Sequence, residues 1–215
     1  MQGVLVLYKP YMNNQQPQNN YVILLHGLGR SKLSMKIAEL YLASKGYEVI
    51  NIDYPSRTDT IEDIAINHVQ KIIEEQCTDK SKKINFVTHS LGGILTRHYL
   101  QHHRPENLGR VVMLAPPNKG SEMANLFSQS KIVTSIMGSS LKRLKTDSDS
   151  IPNTLPAPDY EVGIIAGKFD FTVPPEMTKL EKSKDFTTVN TSHTFIMNYP
   201  STLSAILKFL QTGKF

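Results

Sequence analysis

Ser90 lies in the run Ile84-Asn85-Phe86-Val87-Thr88-His89-Ser90-Leu91-Gly92-Gly93, where an apolar, β-branched stretch gives way to the helical pattern of Ile94 to Tyr99. A serine at a sharp strand-to-helix turn stands clear of a sheet, and small residues two positions away let the backbone bend that tightly. The usual pattern is G-x-S-x-G, from which this chain departs by having Thr88 in place of the first glycine. A serine hydroxyl attacks a carbonyl only once a base takes its proton. That base works better when a carboxylate fixes its tautomer and stabilises its charged form. Two later turns carry such partners. Asp170 stands in Gly167-Lys168-Phe169-Asp170-Phe171-Thr172-Val173-Pro174, just after a strand-like run, and His193 stands in Asn190-Thr191-Ser192-His193-Thr194-Phe195, before the last helical pattern. Upstream, Tyr21 to Leu25 runs into His26-Gly27-Leu28-Gly29-Arg30. A glycine-rich turn in that place leaves backbone N–H groups facing a cleft, as the oxyanion of a tetrahedral acyl intermediate requires. The expected donors are the amides of Leu28 and of Leu91, the residue after the nucleophile.

Each residue also has a plainer reading. Ser90 alone also reads, less favourably, as a serine opening a glycine-containing helix, Asp170 as a loop cap and His193 as a surface histidine. His26 is read as structural, with only the backbone of its turn proposed for chemistry. Taken jointly, after suitable strands and in the order Ser90, Asp170, His193, they favour nucleophilic catalysis. Asp53 follows an earlier strand and is kept as a weaker substitute acid, whereas Asp147, Asp149, Asp159 and Asp185 lack the flanking pattern of Asp170. His68, His98, His102 and His103 have no carboxylate or cysteine beside them in a ligand pattern, so no metal is expected. Gly27-Leu28-Gly29 is too short for a dinucleotide fingerprint, so no cofactor is expected either.

The elements that would position these residues alternate along the chain. Short apolar runs at Tyr21 to Leu25, Tyr47 to Asp53, Ile84 to His89, Arg110 to Leu114, Glu161 to Ala166 and Phe186 to Asn190 predict buried strands. Between them, Ile61, Ile64, Ala65, Val69, Ile72 and Ile73 predict a helix over Thr60 to Gln76 with Thr60 as N-cap. Leu33, Ile37, Leu40 and Tyr41 predict the buried stripe of another helix, ending at Gly46. Pro200 opens a last helix, with Leu203, Ile206, Leu207 and Leu210 on its buried face and Gly213 beyond. Such alternation predicts an α/β fold with a mostly parallel central sheet covered by helices on both faces. The stretch from Pro116 to Pro158 is too long for an ordinary connection and is read as an insertion. Within it Ile132, Val133, Ile136, Met137, Leu141 and Leu144 share one helical face, beside Lys142, Arg143 and Lys145. That face suits a lid or transient contact with an anionic lipid surface; the simpler reading is a helix packed permanently on the body.

Composition narrows the field further. The 215 residues are expected to form a single domain over 1–215, with 40% hydrophobic and 20% charged residues. Cys77 is the only cysteine, which excludes an intramolecular disulfide framework. The net charge of +5 is dispersed and not interleaved with aromatics in a nucleic-acid motif, so no nucleic acid is expected as a partner. The apolar run Gly3 to Tyr8 is far too short to cross a bilayer, which takes about 20 residues. It also lacks the basic flank and cleavage site of a signal peptide, so a cytoplasmic location is expected, although a leader already removed would leave no trace.

With these pieces in place, the chain resembles a compact bacterial member of the α/β-hydrolase superfamily, in its esterase and lipase-like branch. The resemblance spans nearly the whole chain. It rests on Leu25-His26-Gly27-Leu28-Gly29, Asp53-Tyr54-Pro55-Ser56-Arg57, His89-Ser90-Leu91-Gly92-Gly93, Leu114-Ala115-Pro116-Pro117-Asn118-Lys119-Gly120-Ser121, the Asp170 turn and Ser192-His193-Thr194-Phe195. The order nucleophile, acid, base is that of the fold. The resemblance implies an α/β-hydrolase fold with a short lid-like insertion and a serine hydrolase of carboxylic esters, acylglycerols and other lipid esters included. Ser90 would attack, His193 would shuttle the proton, Asp170 would orient His193, and the Leu28 and Leu91 amides would hold the oxyanion. Two alternatives stay open: an acyltransferase, thioesterase or amidase using the same triad, and a catalytically silent acyl-binding scaffold. Substrate choice depends on pocket shape and is not implied.

Overall fold

The structure is a computed structural model that describes residues 19–119 and 155–215. Its centre is a six-stranded parallel sheet of β1 (Tyr21–Leu25), β2 (Glu48–Ile52), β3 (Ile84–His89), β4 (Leu108–Leu114), β5 (Val162–Gly167) and β6 (Asp185–Val189), in the order β2-β1-β3-β4-β5-β6. Every neighbouring pair runs parallel. All six strands lie within two residues of the runs the sequence predicts. Parallel strands between two helical layers bury both faces, which is why β1, β3 and β5 are buried throughout.

Side chains divide between the two faces with the strand period of two. Tyr21, Ile23 and Leu25 of β1 join Phe86, Val111 and Ile164 in one core. Val22 and Leu24 join Val87, Val112 and Ile165 in the other. The first core is covered by α2 (Ile61–Ile64), a π-turn over Ala65–Gln70, α3 (Lys71–Gln76) and α4 (Leu91–His102). The second is covered by α1 (Lys36–Ala43) and α6 (Pro200–Thr212); a short α5 (Pro175–Thr178) lies between β5 and β6. Thr60 caps α2 as its type predicts, its Oγ1 accepting from the Asp63 amide at 3.1 Å. Gly46 and Gly213, with φ of 87° and 75°, follow the ends of α1 and α6 as expected.

One predicted stripe is largely wrong: of its four residues only Tyr41 packs, half-buried, against the core. Leu33, Ile37 and Leu40 are 73%, 50% and 59% exposed, while Met35, Ala38 and Leu42 face the sheet and are fully buried. Two stripes of helical period coexist in this segment, and periodicity alone does not choose between them. The small Ala38 side chain lets α1 lie close to the sheet, which selects its face. In α6, Leu207 is only half-buried and Phe209 takes the central place beside Leu203, Ile206 and Leu210.

The predicted insertion falls between β4 and β5, which pair directly. The helical face from Ile132 to Leu144, with Lys142, Arg143 and Lys145, lies outside the described residues. Among the described residues no helix is long and apolar enough to cross a membrane.

Candidate active site

The sheet order reverses direction between β1 and β3: the chain passes from β1 outward to β2, then returns across to β3 and onward to β6. The two strands stay paired to their carboxyl ends, but the connections leaving them run to opposite faces of the sheet, to α1 and to α4, and such a switch point is where open parallel sheets take ligands. The His26 turn leaves β1 there, and Ser90 leaves β3.

Ser90 is the residue between β3 and α4, with φ 52° and ψ −118°. A non-glycine residue in this region costs on the order of 1–3 kcal/mol, so surrounding structure must enforce it. The Ser90 amide donates to the Leu114 carbonyl at 2.9 Å, and its carbonyl accepts from the Gly93 amide at 2.9 Å. Gly92 permits the tight approach: a Cβ there would meet the Leu25 carbonyl oxygen at 2.6 Å and that of His26 at 2.9 Å. The departure at Thr88 is accommodated because Thr88 is a fully buried residue of β3 and the bend comes two residues later.

Three loops bring the predicted side chains together. His193 Nε2 lies 3.1 Å from Ser90 Oγ, and His193 Nδ1 lies 2.7 Å from Asp170 Oδ2. The other oxygen of Asp170 accepts from the amides of Thr172 at 2.9 Å and Val173 at 2.7 Å, so the turn after β5 fixes this nearly buried carboxylate. The two turns are joined by the Phe169 amide, which donates to the Thr191 carbonyl at 3.1 Å. Leu91 is the first residue of α4, where amides have no partner within the helix. Leu28 sits in the turn after β1.

Asp53 is elsewhere. Its Oδ1 accepts from the Lys32 amide at 3.0 Å and lies 3.3 Å from His26 Nε2, whereas the carboxylate that meets His193 is that of Asp170. His26 is fully buried, stacked on Tyr54 with ring centroids 4.0 Å apart. Burial lowers its pKa, opposed by its hydrogen bond to the Gly27 carbonyl and by Asp53. The Tyr54 hydroxyl donates to the His26 carbonyl, and the Gly29 amide donates to Ser56 Oγ at 2.9 Å. Burial raises the Tyr54 pKa, which keeps the hydroxyl protonated as a donor. Tyr54 and Ser56 thus brace the Leu28 turn, a role the sequence reading did not assign although both stand in a segment it had singled out. Nothing in their spacing from Leu28 signals this, because the contact spans β2. Among the described residues no group of three or more His, Cys, Asp or Glu side chains is arranged to hold a metal ion.

Known structures share this framework. The chain superposes on an esterase from Exiguobacterium antarcticum with TM-score 0.67 and 13% identity, covering 90% of this chain and 92% of that one. An esterase from Pyrococcus furiosus gives TM-score 0.64 at 19% identity, covering 90% and 83%. A monoacylglycerol lipase from Paleococcus ferrophilus gives 0.59 at 20%, covering 92% and 96%. At these identities the likeness is one of fold, and the fold is that of the α/β hydrolases. In sequence, the family model described as palmitoyl protein thioesterase matches residues 21–160, a span that carries Leu28, Ser90 and Leu91 but ends before Asp170 and His193. Two-thirds of the chain thus answers to that model, and the protein belongs to the palmitoyl protein thioesterase family of α/β hydrolases.

Proposed function

We propose that the protein is a serine hydrolase of acyl esters that works through an acyl-enzyme on Ser90. The observation that carries this reading is the relay from Ser90 Oγ to His193 Nε2 and from His193 Nδ1 to Asp170, at 3.1 and 2.7 Å. His193 takes the Ser90 proton as Oγ attacks the acyl carbonyl, while Asp170 holds the imidazole with its Nδ1–H toward the carboxylate and stabilises the imidazolium. The tetrahedral oxyanion lies between the amides of Leu28 and Leu91. The N-terminus of α4 adds about half a positive charge beside it. His193 then returns the proton to the departing alcohol. Water, activated by His193, attacks the acyl-enzyme and restores Ser90 with release of the acid.

A thioester is the second reading, favoured by the family match over residues 21–160. The same acyl-enzyme serves both, but a thiol leaves more easily than an alcohol, having a pKa of about 8.5. The discriminating experiment compares hydrolysis of acyl p-nitrophenyl esters, alkyl esters and acyl thioesters of matched chain length, with Ser90→Ala as control. Turnover of alkyl esters comparable to that of thioesters supports the first reading. Turnover confined to thioesters supports the second, and equal turnover in Ser90→Ala removes both.

A further inference from the structure

The relay needs Ser90 and His193 held together, yet they are separated by 103 residues and carried on different loops. Ser90 is fixed by the end of β3. His193 sits in the connection between β6 and α6, at the far side of the sheet order. His89, the last residue of β3, is 1% exposed and takes no part in the chemistry described above. Its Nε2 lies 3.1 Å from the backbone carbonyl oxygen of His193, and its ring packs on the His193 ring with centroids 4.8 Å apart at 48°.

We propose that His89 is a positioning residue that ties the backbone of the base to the strand end carrying the nucleophile. The inference rests on the serine hydrolase reading of the same site. A carbonyl oxygen accepts only, so Nε2 carries the proton and Nδ1 is left as an unprotonated nitrogen. Burial holds this ring neutral, with its pKa driven well below the ordinary histidine value, and the nearby His193 and Arg30 push in the same direction. A neutral imidazole offers one N–H, and here it goes to His193. Nδ1 has no hydrogen-bond partner among the described residues. It lies instead against Gly27, where an added Cβ would come within 2.8 Å. A glycine at this point of the turn after β1 thus makes room for the ring to reach across to the base. The consequence is that one rigid strand sets both ends of the 3.1 Å Ser90 to His193 contact: Ser90 through the next peptide bond and His193 through His89.

The tests are a substitution series and a measurement on the unaltered protein. His89→Leu keeps bulk without a donor, while His89→Gln places an amide N–H near the original Nε2. With a p-nitrophenyl ester, His89→Leu is expected to lower kcat about 10- to 100-fold with KM nearly unchanged, the scale expected of a small misplacement of a catalytic group. His89→Gln is expected to recover most of that loss. In a His193→Ala background the Leu substitution should cost less than about twofold, since the base it positions is gone. A folded His89→Leu protein with unchanged kcat overturns the proposal. So does a loss that persists undiminished in the His193→Ala background, which would trace the effect to the Gly27 turn. On the wild-type protein, imidazole nitrogen NMR should find His89 neutral with the proton on Nε2; a proton on Nδ1 overturns the proposal whether or not the Leu variant folds. Labelling of wild-type Ser90 by a serine-reactive phosphonate separates the two levels. Without labelling the hydrolase reading itself fails, and with labelling a negative His89 result counts against the positioning role alone.

Discussion

In the proposed mechanism the hydrogen-bonded Ser90, His193 and Asp170 act as a unit, so their removal is not additive. Ser90→Ala and His193→Ala are each expected to lower kcat by several orders of magnitude, and the double variant to be little worse than either, with melting temperatures near wild type. Steady-state kinetics with thermal melts checks this; a double variant much poorer than the singles would show two independent routes. The two candidate acids separate in the same assay. Asp170→Asn leaves an amide opposite His193 Nδ1 and favours the wrong tautomer, for an expected loss on the order of 10⁴ in kcat. Asp53 contacts Lys32 and His26 instead, so Asp53→Asn should stay within about tenfold of wild type. If Asp53 proves the indispensable acid, the assignment to Asp170 is wrong. Ser90, Asp170 and His193, which the structure brings together, are each visible in the sequence through strand-end position and chain order. Tyr54, Ser56 and His89 are not, because each acts through a contact with a distant loop.

Elements place these residues by how closely they pack. Gly92 lets α4 approach the end of β1, and Gly92→Ala drives a methyl group into the Leu25 and His26 carbonyls. Because the clash is with backbone, α4 must move and Ser90 with it. The variant should lose both melting temperature and kcat, and unchanged kinetics would mean that the turn relaxes without disturbing Ser90. Helix α1 gives a second test, since its exposed and buried stripes are the reverse of the simplest reading. Ile37→Ser at the exposed face should shift unfolding free energy by no more than about 0.5 kcal/mol. Ala38→Leu, on the face against the sheet, should cost about 1–3 kcal/mol through overpacking. Urea titrations measure both, and the opposite ranking would restore the Leu33, Ile37 and Leu40 stripe to the core. Helical period is legible in this segment, but which of two stripes is inward is settled by packing against the sheet face that carries Val22, Leu24 and Val49.

At the scale of the whole molecule, folded stability depends on pH through its buried imidazoles. His89 is depressed by burial, and His26 shifts the same way. Below about pH 6.5 the unfolded chain takes up protons on these rings while the folded chain resists, so the unfolded state binds more protons and stability falls as pH falls. Each such group contributes a slope of up to about 1.4 kcal/mol per pH unit below that point. Unfolding midpoints should therefore drop between pH 7 and pH 5, and His89→Gln should flatten the decline; an unchanged slope would mean that His89 protonates freely in the folded protein.

Local chemistry let the sequence by itself determine the strands, the caps at Thr60, Gly46 and Gly213, and the strand-end places of Ser90, Asp170 and His193. Periodicity, capping and turn preference are properties of neighbouring residues, and they survive without a fold. The tertiary structure alone decided that the sheet order reverses between β1 and β3, that α1 buries Ala38 rather than Ile37, and that Asp53 turns to His26. It also decided that His89 reaches His193 across 104 residues. These outcomes depend on which strands become neighbours, and sheet order is set by the packing of two helical layers on one sheet, a property that no short stretch of the chain carries.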